Sequence, residues 1–370
     1  KRQDLPKPIW NEILPLMGAK MGLATSDEEI MHRQILMQTD MAYGEKGLIL
    51  PQGTIDLNQW LMIKHYYRTA APDSFDIPPT PIDSDPLALF DVRPLVIDDL
   101  RAAASLISFG ESGSTYYGDA ALNALFKYDI ENSTVEKVQL DGAPSMIKSY
   151  DNEEWVLTMG NIHPNDFRNG KLYTIQEGDT SVTLDNLQRP VHFETGDLNN
   201  DGQTDIVVCN FGYLKGQLSW YEHTEDGYKA HTLRDLPGSL KTSIRDFNND
   251  GELDILALIA QGDEGFFIYT GDGKGNFNEE KIYTFPHSFG SSYFELIDFN
   301  NDGLDDILYI NGDNGDDSIP VHKPYQGIRI LENMGGMEVR ETYRVRVSGP
   351  VRALAVDDEV DGDLVVACSC

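Results

Sequence analysis

Apolar and polar positions follow two different rhythms along this chain. From about Leu87 to the end, short runs rich in β-branched and aromatic residues recur between clusters of Gly, Asp, Asn and Pro, the pattern of strands and turns. Residues 1–72 instead carry dense Met and aromatic residues at helical spacing. One helix is predicted over Ile9 to Met17 despite Pro15. Ser26 with Glu29 forms a capping box that opens a second, running to about Ala42 with Gly44 as its stop. Asp56 with Gln59 opens a third, LNQWLMIKHYYRTAA, ended by Pro72. The stretch PDSFDIPPTPIDSDP has no periodicity, so residues 73–86 read as a linker between a helical domain (1–72) and a β domain (87–370).

Within the β domain three acidic segments stand in phase: DLNNDGQTD from Asp197, DFNNDGELD from Asp246 and DFNNDGLDD from Asp298, starting 49 and 52 residues apart. Each places an oxygen side chain at positions 1, 3, 5 and 9 and Gly at position 6. Alternating oxygens around a glycine turn suit a hard cation, and Ca²⁺ takes about six to eight oxygens. Three carboxylates per loop exceed what Mg²⁺ usually recruits from protein, so calcium is the expected ion, with three sites. An EF-hand is excluded, because position 12 is Val208, Ala257 or Tyr309 where a bidentate Glu is required. The runs that follow (IVVCN, ILALI, ILYI) also read as strands, not helices.

With the acidic loop as phase marker, each unit of about 50 residues has one strand before it and one after it. A polar stretch follows, then a third strand (QLSWYE, GFFIYT, GIRILEN) and a fourth (YKAHTL, EEKIYTF, VRETYRV). Four antiparallel strands per repeat predict a β-propeller blade. Two earlier units, roughly 87–141 and 143–188, have the strands without the acidic loop. A sixth starts at GPVRALAVDDEVDGDLVVA, where Asp357, Asp361 and Gly362 fit the loop but Val365 replaces the ninth-position carboxylate. The fold class expected is therefore mainly β: a propeller of four-stranded blades, about five and a half present, with a small helical region ahead. A seven-bladed ring is expected, because an open disc leaves bare strand edges, and one and a half further blades would then follow Cys370.

Sixty-one acidic residues against 29 basic give a net charge of −32, which argues against nucleic acid and anionic membrane as partners. No apolar run reaches the roughly 20 residues of a membrane span, and no signal peptide is present, so an exported chain would be seen here in mature form. Cys209, Cys368 and Cys370 make neither a disulfide framework nor a zinc pattern. Extracellular calcium modules bind at high calcium, which the cytosol lacks, so export is expected.

Residues 87–370 resemble the FG-GAP/VCBS repeats of integrin-α-like β-propellers. More narrowly, CNFG…LSWYE, AQGDEG, GSSYFELIDFNNDG, NGDN and KPYQG are similar to exported bacterial VCBS-repeat proteins, and WNEILPLMG and QWLMIKHYYRTAAP are similar to the cytochrome c-like helical region that those proteins carry ahead of the propeller. A c-type haem needs C-x-x-C-H, which this chain lacks; the resemblance implies haem c only if that motif lies upstream of Lys1. Met17, Met21 or Met37 would then be candidate axial ligands, although amphipathic packing explains these methionines better. Carried onto this chain, the calcium ligands are Asp197, Asn199, Asp201 and Asp205; Asp246, Asn248, Asp250 and Asp254; and Asp298, Asn300, Asp302 and Asp306. Gln203, Glu252 and Leu304 at position 7 would offer backbone carbonyls, so their side chains are free to vary.

Loops joining strands two and three open on the face opposite the calcium loops, and they are polar and variable. They hold Asn161, His163 and Asp166; Asn210, Tyr213 and Lys215; Gln261, Asp263 and Glu264; and Asp313, Asp316, Lys323 and Tyr325. Loops on a rigid scaffold commonly carry recognition, so these are the expected partner-binding residues, and Asp263, Glu264, Lys323 and Tyr325 are expected to be exposed and dispensable for stability. Catalytic signals are thin: GESGS at Gly110 is not G-x-S-x-G, and the eight His residues make no H-E-x-x-H. Asp263 with Glu264, or Asp313 with Asp316, are the acid pairs a lyase or hydrolase would use. The expected function is a calcium-stabilised, non-catalytic recognition or scaffold module for a protein or glycan partner, exported to the bacterial surface or outer membrane, with the periplasm second. The alternative is a carbohydrate-active or haem-linked electron-transfer protein.

Overall fold

A computed structural model describes residues 5–21, 23, 25–31, 55–74, 103–110, 114–129, 132, 134–150, 153–176, 178–286, 288–313, 323–347, 349–350, 352–357 and 364–369. Most of the linker expected over 73–86 lies outside these residues, as do Met37, Asp316, Asp361 and Gly362.

Helix α1 (Lys7–Lys20) starts behind Pro6 and contains Pro15, and it buries Ile9, Trp10 and Leu14. Helix α2 (Leu57–Ala70) opens on the expected box: Gln59 N donates to Asp56 Oδ1, and Asp56 N to Gln59 Oε1, both at 2.9 Å. The Ser26–Glu29 box is also formed, and residues 27–31 are helical; the remaining stretch towards Ala42 is outside the described residues. Glu29 does more than cap. Fully buried, it accepts from Trp60 Nε1 at 2.7 Å and from Lys64 Nζ at 2.9 Å. Trp60 and Trp10 centre a small apolar cluster in which Met21 packs, whereas Met17 is exposed.

Among the described residues, the β region forms five four-stranded antiparallel sheets, each in chain order, and one two-stranded sheet. The first holds β1 (Ala104–Phe109), β2 (Ser114–Asp119), β3 (Ala124–Asp129) and β4 (Thr134–Gln139). The second holds β5 (Pro144–Tyr150), β6 (Glu153–Thr158), β7 (Gly170–Gln176) and β8 (Asp179–Leu187). The third holds β9 (Pro190–Gly196), β10 (Asp205–Asn210), β11 (Gln217–Thr224) and β12 (Gly227–Arg234). The fourth holds β13 (Ser239–Arg245), β14 (Asp254–Ile259), β15 (Gly265–Gly271) and β16 (Phe277–Thr284). The fifth holds β17 (Ser291–Ile297), β18 (Asp306–Asn311), β19 (Gly327–Asn333) and β20 (Val339–Arg346), and the pair is β21 (Arg352–Asp357) with β22 (Leu364–Ser369). This is the expected count of about five and a half blades.

First strands neighbour one another in sequence order, β1 to β5 to β9 to β13 to β17 to β21, so they form the inner lining of the propeller. Second strands are where the apolar runs belong. Every residue of β10, β14 and β18 is buried, because each such strand has ladder partners on both sides and a neighbouring blade on each face. Fourth strands lie outermost, and β20 is exposed at all but its first residue. The core is therefore a series of layers between blades. One layer packs Leu256, Phe266 and Phe294 with Tyr309 and Leu331, and another packs Val207, Cys209, Trp220 and Ile255. Each such Leu, Ile or Phe contributes about 1.5–3 kcal/mol on burial.

Candidate calcium loops and the opposite face

Each acidic loop joins a first strand to a second strand and folds around its own side chains. In the first, Asp201 N donates to Asp197 Oδ1 and to Asn199 Oδ1, both at 3.1 Å, and Gly202 N donates to Asp197 Oδ2 at 2.9 Å. The second and third loops repeat this set around Asp246 and Asn248, and around Asp298 and Asn300. The fifth-position carboxylate in turn takes the position-7 N–H of Gln203, Glu252 or Leu304. Such folding needs two left-handed residues. Position 6 is Gly202, Gly251 or Gly303 at φ +81°, +92° and +86°. Position 4 is Asn200, Asn249 or Asn301 at +57°, +60° and +59°, and asparagine tolerates that region better than most residues. The repeated Asn at position 4 was the signal for it.

Position 9 plays a larger part than a loop ligand requires. Asp205 is fully buried; one carboxylate oxygen accepts from Leu198 N at 3.1 Å and the other from His223 N on β11 at 2.8 Å. Asp254 binds Phe247 N and Gly271 N in the same way, and Asp306 binds Phe299 N and Asn333 N. The ninth carboxylate therefore ties the loop to the third strand. Burial pushes all three carboxyls above the ordinary aspartate range, against the lowering effect of those N–H donors.

The donor set fits a divalent cation. All its side-chain donors are oxygens, three carboxylates to a loop, although among the described residues no three His, Cys, Asp or Glu side chains are already gathered closely enough to hold a metal ion. Among the described residues, no Lys, Arg or His nitrogen lies within 4.0 Å of Asp197, Asp201, Asp205, Asp246, Asp250, Asp254, Asp298, Asp302 or Asp306. By contrast Asp305, at position 8, is paired with Arg245 at 2.5 Å. Clustered like charges without counter-charge favour a bound cation.

The loops joining second and third strands are less uniform than expected. Asn161 and His163 are exposed, and His163 N donates to Asn161 Oδ1 at 2.9 Å. Asp166 Oδ1 accepts the N–H groups of Tyr213, Leu214 and Lys215 from the next blade, and Gln261 Nε2 donates to Tyr213 O at 2.7 Å. Asp263 is exposed but held by Lys281 at 2.6 Å and Arg234 at 2.9 Å; Lys281 foremost keeps its carboxyl below the usual range. Asp313 is exposed.

Three residues of this set are not on the surface. Asn210 is 1 % exposed and accepts Gln188 N. Glu264 is 2 % exposed and accepts Ser291 N at 2.8 Å and Ser291 Oγ at 2.6 Å, with burial raising its pKa. Lys323 is 7 % exposed, and half-buried Tyr325 stacks on Phe289 with ring centroids 5.2 Å apart. The expectation that Glu264 and Lys323 are exposed, dispensable loop groups is corrected: both are buried, as is the partner-binding candidate Asn210, and Asn210 and Glu264 fasten backbone of the adjoining segments. The acid pair Asp263–Glu264 is likewise committed to structural partners. Arg329, 1 % exposed on β19, went unnoticed in the sequence although a lone Arg inside an apolar strand was its signal; it donates to Asn311, Tyr325 O and Glu341.

Residues 197–257 and 246–309 match the model of the FG-GAP-like repeat. Comparison with curated proteins gives no match. Among solved structures, the chain is similar to a hydrazine synthase of Kuenenia stuttgartiensis, at TM-score 0.47 and 11% identity, over 71% of this chain and 73% of that one. It is also similar to an auxiliary nutrient binding protein of Bacteroides thetaiotaomicron (TM-score 0.46, 11% identity, 71% and 66% covered). A third is regucalcin of Agrobacterium tumefaciens, described as a calcium-binding protein (0.43, 11%, 68% and 77%). Residues 197–309 thus carry FG-GAP-like repeats, set on consecutive four-stranded blades of a β-propeller.

Proposed function

We propose that this propeller is a calcium-stabilised, non-catalytic recognition or scaffold module for a protein or glycan at the surface of an exporting bacterium. The observation that carries the calcium part is the uncompensated charge of the three loops, nine carboxylates without a basic partner among the described residues. Calcium would take the side-chain oxygens of positions 1, 3, 5 and 9 and the carbonyl of position 7. Bound there, it pins the turn between first and second strands while the ninth carboxylate pins the third. The ion is a structural staple in this reading.

On these rigid blades the connecting loops still present exposed polar groups, Asn161, His163, Asp263 and Asp313, which supports recognition as the role. Among the described residues no helix is long and apolar enough to cross a membrane, so attachment to a surface would come through a partner or a segment other than these. Metal analysis of the purified protein, with melting curves in calcium and in chelator, tests the staple. Three calcium ions per chain and a lower melting temperature in chelator are expected; no calcium and no shift would sink it. Capture from native membranes tests the role, and release of a smaller sugar product or a haem absorbance band would instead favour the enzymatic or electron-transfer alternative.

A further inference from the structure

At the calcium-loop end of the inner lining, three successive first strands enclose a hollow of about 400 Å³. Phe109 comes from β1, Lys148 and Tyr150 from β5, and Glu194 and Thr195 from β9. Polar and apolar surface are mixed here. Phe109 is 77 % exposed, so its ring is open to a ligand. Tyr150 OH and Thr195 Oγ1 lie 3.0 Å apart across the boundary between two blades.

The charged pair at this hollow has spare capacity. Lys148 Nζ donates to Glu194 Oε2, which uses one of its three N–H groups. Among the described residues, the one basic nitrogen within 4.0 Å of Glu194 Oε1 is His192 Nε2, at 3.7 Å, too long for a hydrogen bond. His192 is buried; burial first, and then nearby Lys241, Lys148 and Arg352, keep its imidazole neutral at ordinary pH. Both Lys148 and Glu194 retain about a quarter of their side-chain exposure, at 25% and 23%. An acceptor oxygen without a donor, a lysine with unused donors, and an open aromatic ring therefore share one cavity.

We propose that this hollow binds a neutral saccharide of one or two rings. Sugar hydroxyls supply donor and acceptor together, which Glu194 Oε1 and Lys148 Nζ would meet, and the C–H face of a pyranose packs on an aromatic ring such as Phe109. The volume lies within the range of small-ligand pockets. Net charge decides the class of sugar: at −32 the chain repels polyanionic glycans, so a neutral ring is favoured over a uronate. This rests on the recognition reading above and gives it a place and a ligand class.

Titration calorimetry of the whole chain in calcium, against a panel of neutral disaccharides and one digalacturonate, tests it. Binding of a neutral sugar is expected, weakened about tenfold or more by Phe109→Ala and by Glu194→Gln, with melting temperatures unchanged. Neither substitution touches a calcium loop, and Phe109→Ala alters an exposed ring, so loss of binding cannot be laid to unfolding. No binding by the parent chain, preference for digalacturonate, or equal affinity in both variants would each overturn the site. Tight sugar binding with hydrolysis in the cell would keep this site and refute the non-catalytic reading, and a protein captured by the propeller without any sugar binding would do the reverse.

Discussion

The Asn200 side-chain amide donates to the Glu252 carboxylate, linking the fourth position of one acidic loop to the seventh position of the next. Gly273 sits against both side chains, where any Cβ would collide with them. Adjacent loops are thus in direct contact through a residue whose own carbonyl is a proposed ligand. Arg245 with Asp305 makes the comparable link between the second and third loops. Glu252→Ala is expected to cost less than about 1 kcal/mol in chelator, because the pair is exposed. In calcium it should weaken binding at the first and second loops together. A calcium titration that finds one site weakened and its neighbour untouched would count against the link.

Asp250 and Asp254 should separate the ion from the strut. Asp250→Ala removes one loop carboxylate and, on the proposed reading, should remove one bound calcium, while its melting temperature in chelator should match the parent's. Asp254→Ala leaves Phe247 N and Gly271 N without their acceptor, at about 1–3 kcal/mol for each buried donor. Its melting temperature should therefore fall even in chelator. Calcium content and chelator melts of the two variants check this, and equal melts would refute the strut.

Asn249 at φ +60° tests the backbone reasoning. Asn249→Gly should be nearly neutral, whereas Asn249→Val should cost about 1–2 kcal/mol, since a branched Cβ clashes in the left-handed region. Urea unfolding of both variants measures the difference.

Glu264→Ala should cost about 2 kcal/mol or more, because Ser291 N would lose its acceptor in a buried site. Asp263→Ala, one residue away but exposed, should change stability by no more than about 1 kcal/mol. Denaturant midpoints of the pair decide whether this face is a dispensable surface or a joint between blades.

Glu29 makes the helical region acid-sensitive in a defined window. Burial would raise its carboxyl, but hydrogen bonds from Thr25, Lys64 and Trp60 outweigh this and hold it at about 2 against an ordinary 4.5. A folded-state pKa below the unfolded one stabilises fully above the unfolded value and is lost as pH falls through the folded value. Helical stability should therefore decline between about pH 4.5 and 2. Glu29→Gln should flatten that decline in Trp60 fluorescence, and an unchanged acid profile would contradict the assignment.

Much of this was legible along the chain because it is local. The repeat spacing, the order of strands within a blade and the capping boxes at Ser26 and Asp56 all depend on residues a few positions apart. So does the oxygen pattern of the acidic loops, whose backbone folds around side chains two to five residues away. Burial of IVVCN, ILALI and ILYI followed from composition, since a continuous apolar run needs cover on both faces.

What the sequence could not decide is which polar groups the blades bury between them. Asp205 meets the N–H of His223 18 residues on, and Glu264 meets Ser291 27 residues on in the next blade. Whether a polar side chain near a turn faces water or a neighbouring blade depends on how two sheets pack, and packing brings together residues that no local pattern relates. The hollow between Phe109, Lys148 and Glu194 arises the same way, from three strands that are adjacent only because successive blades place their first strands side by side.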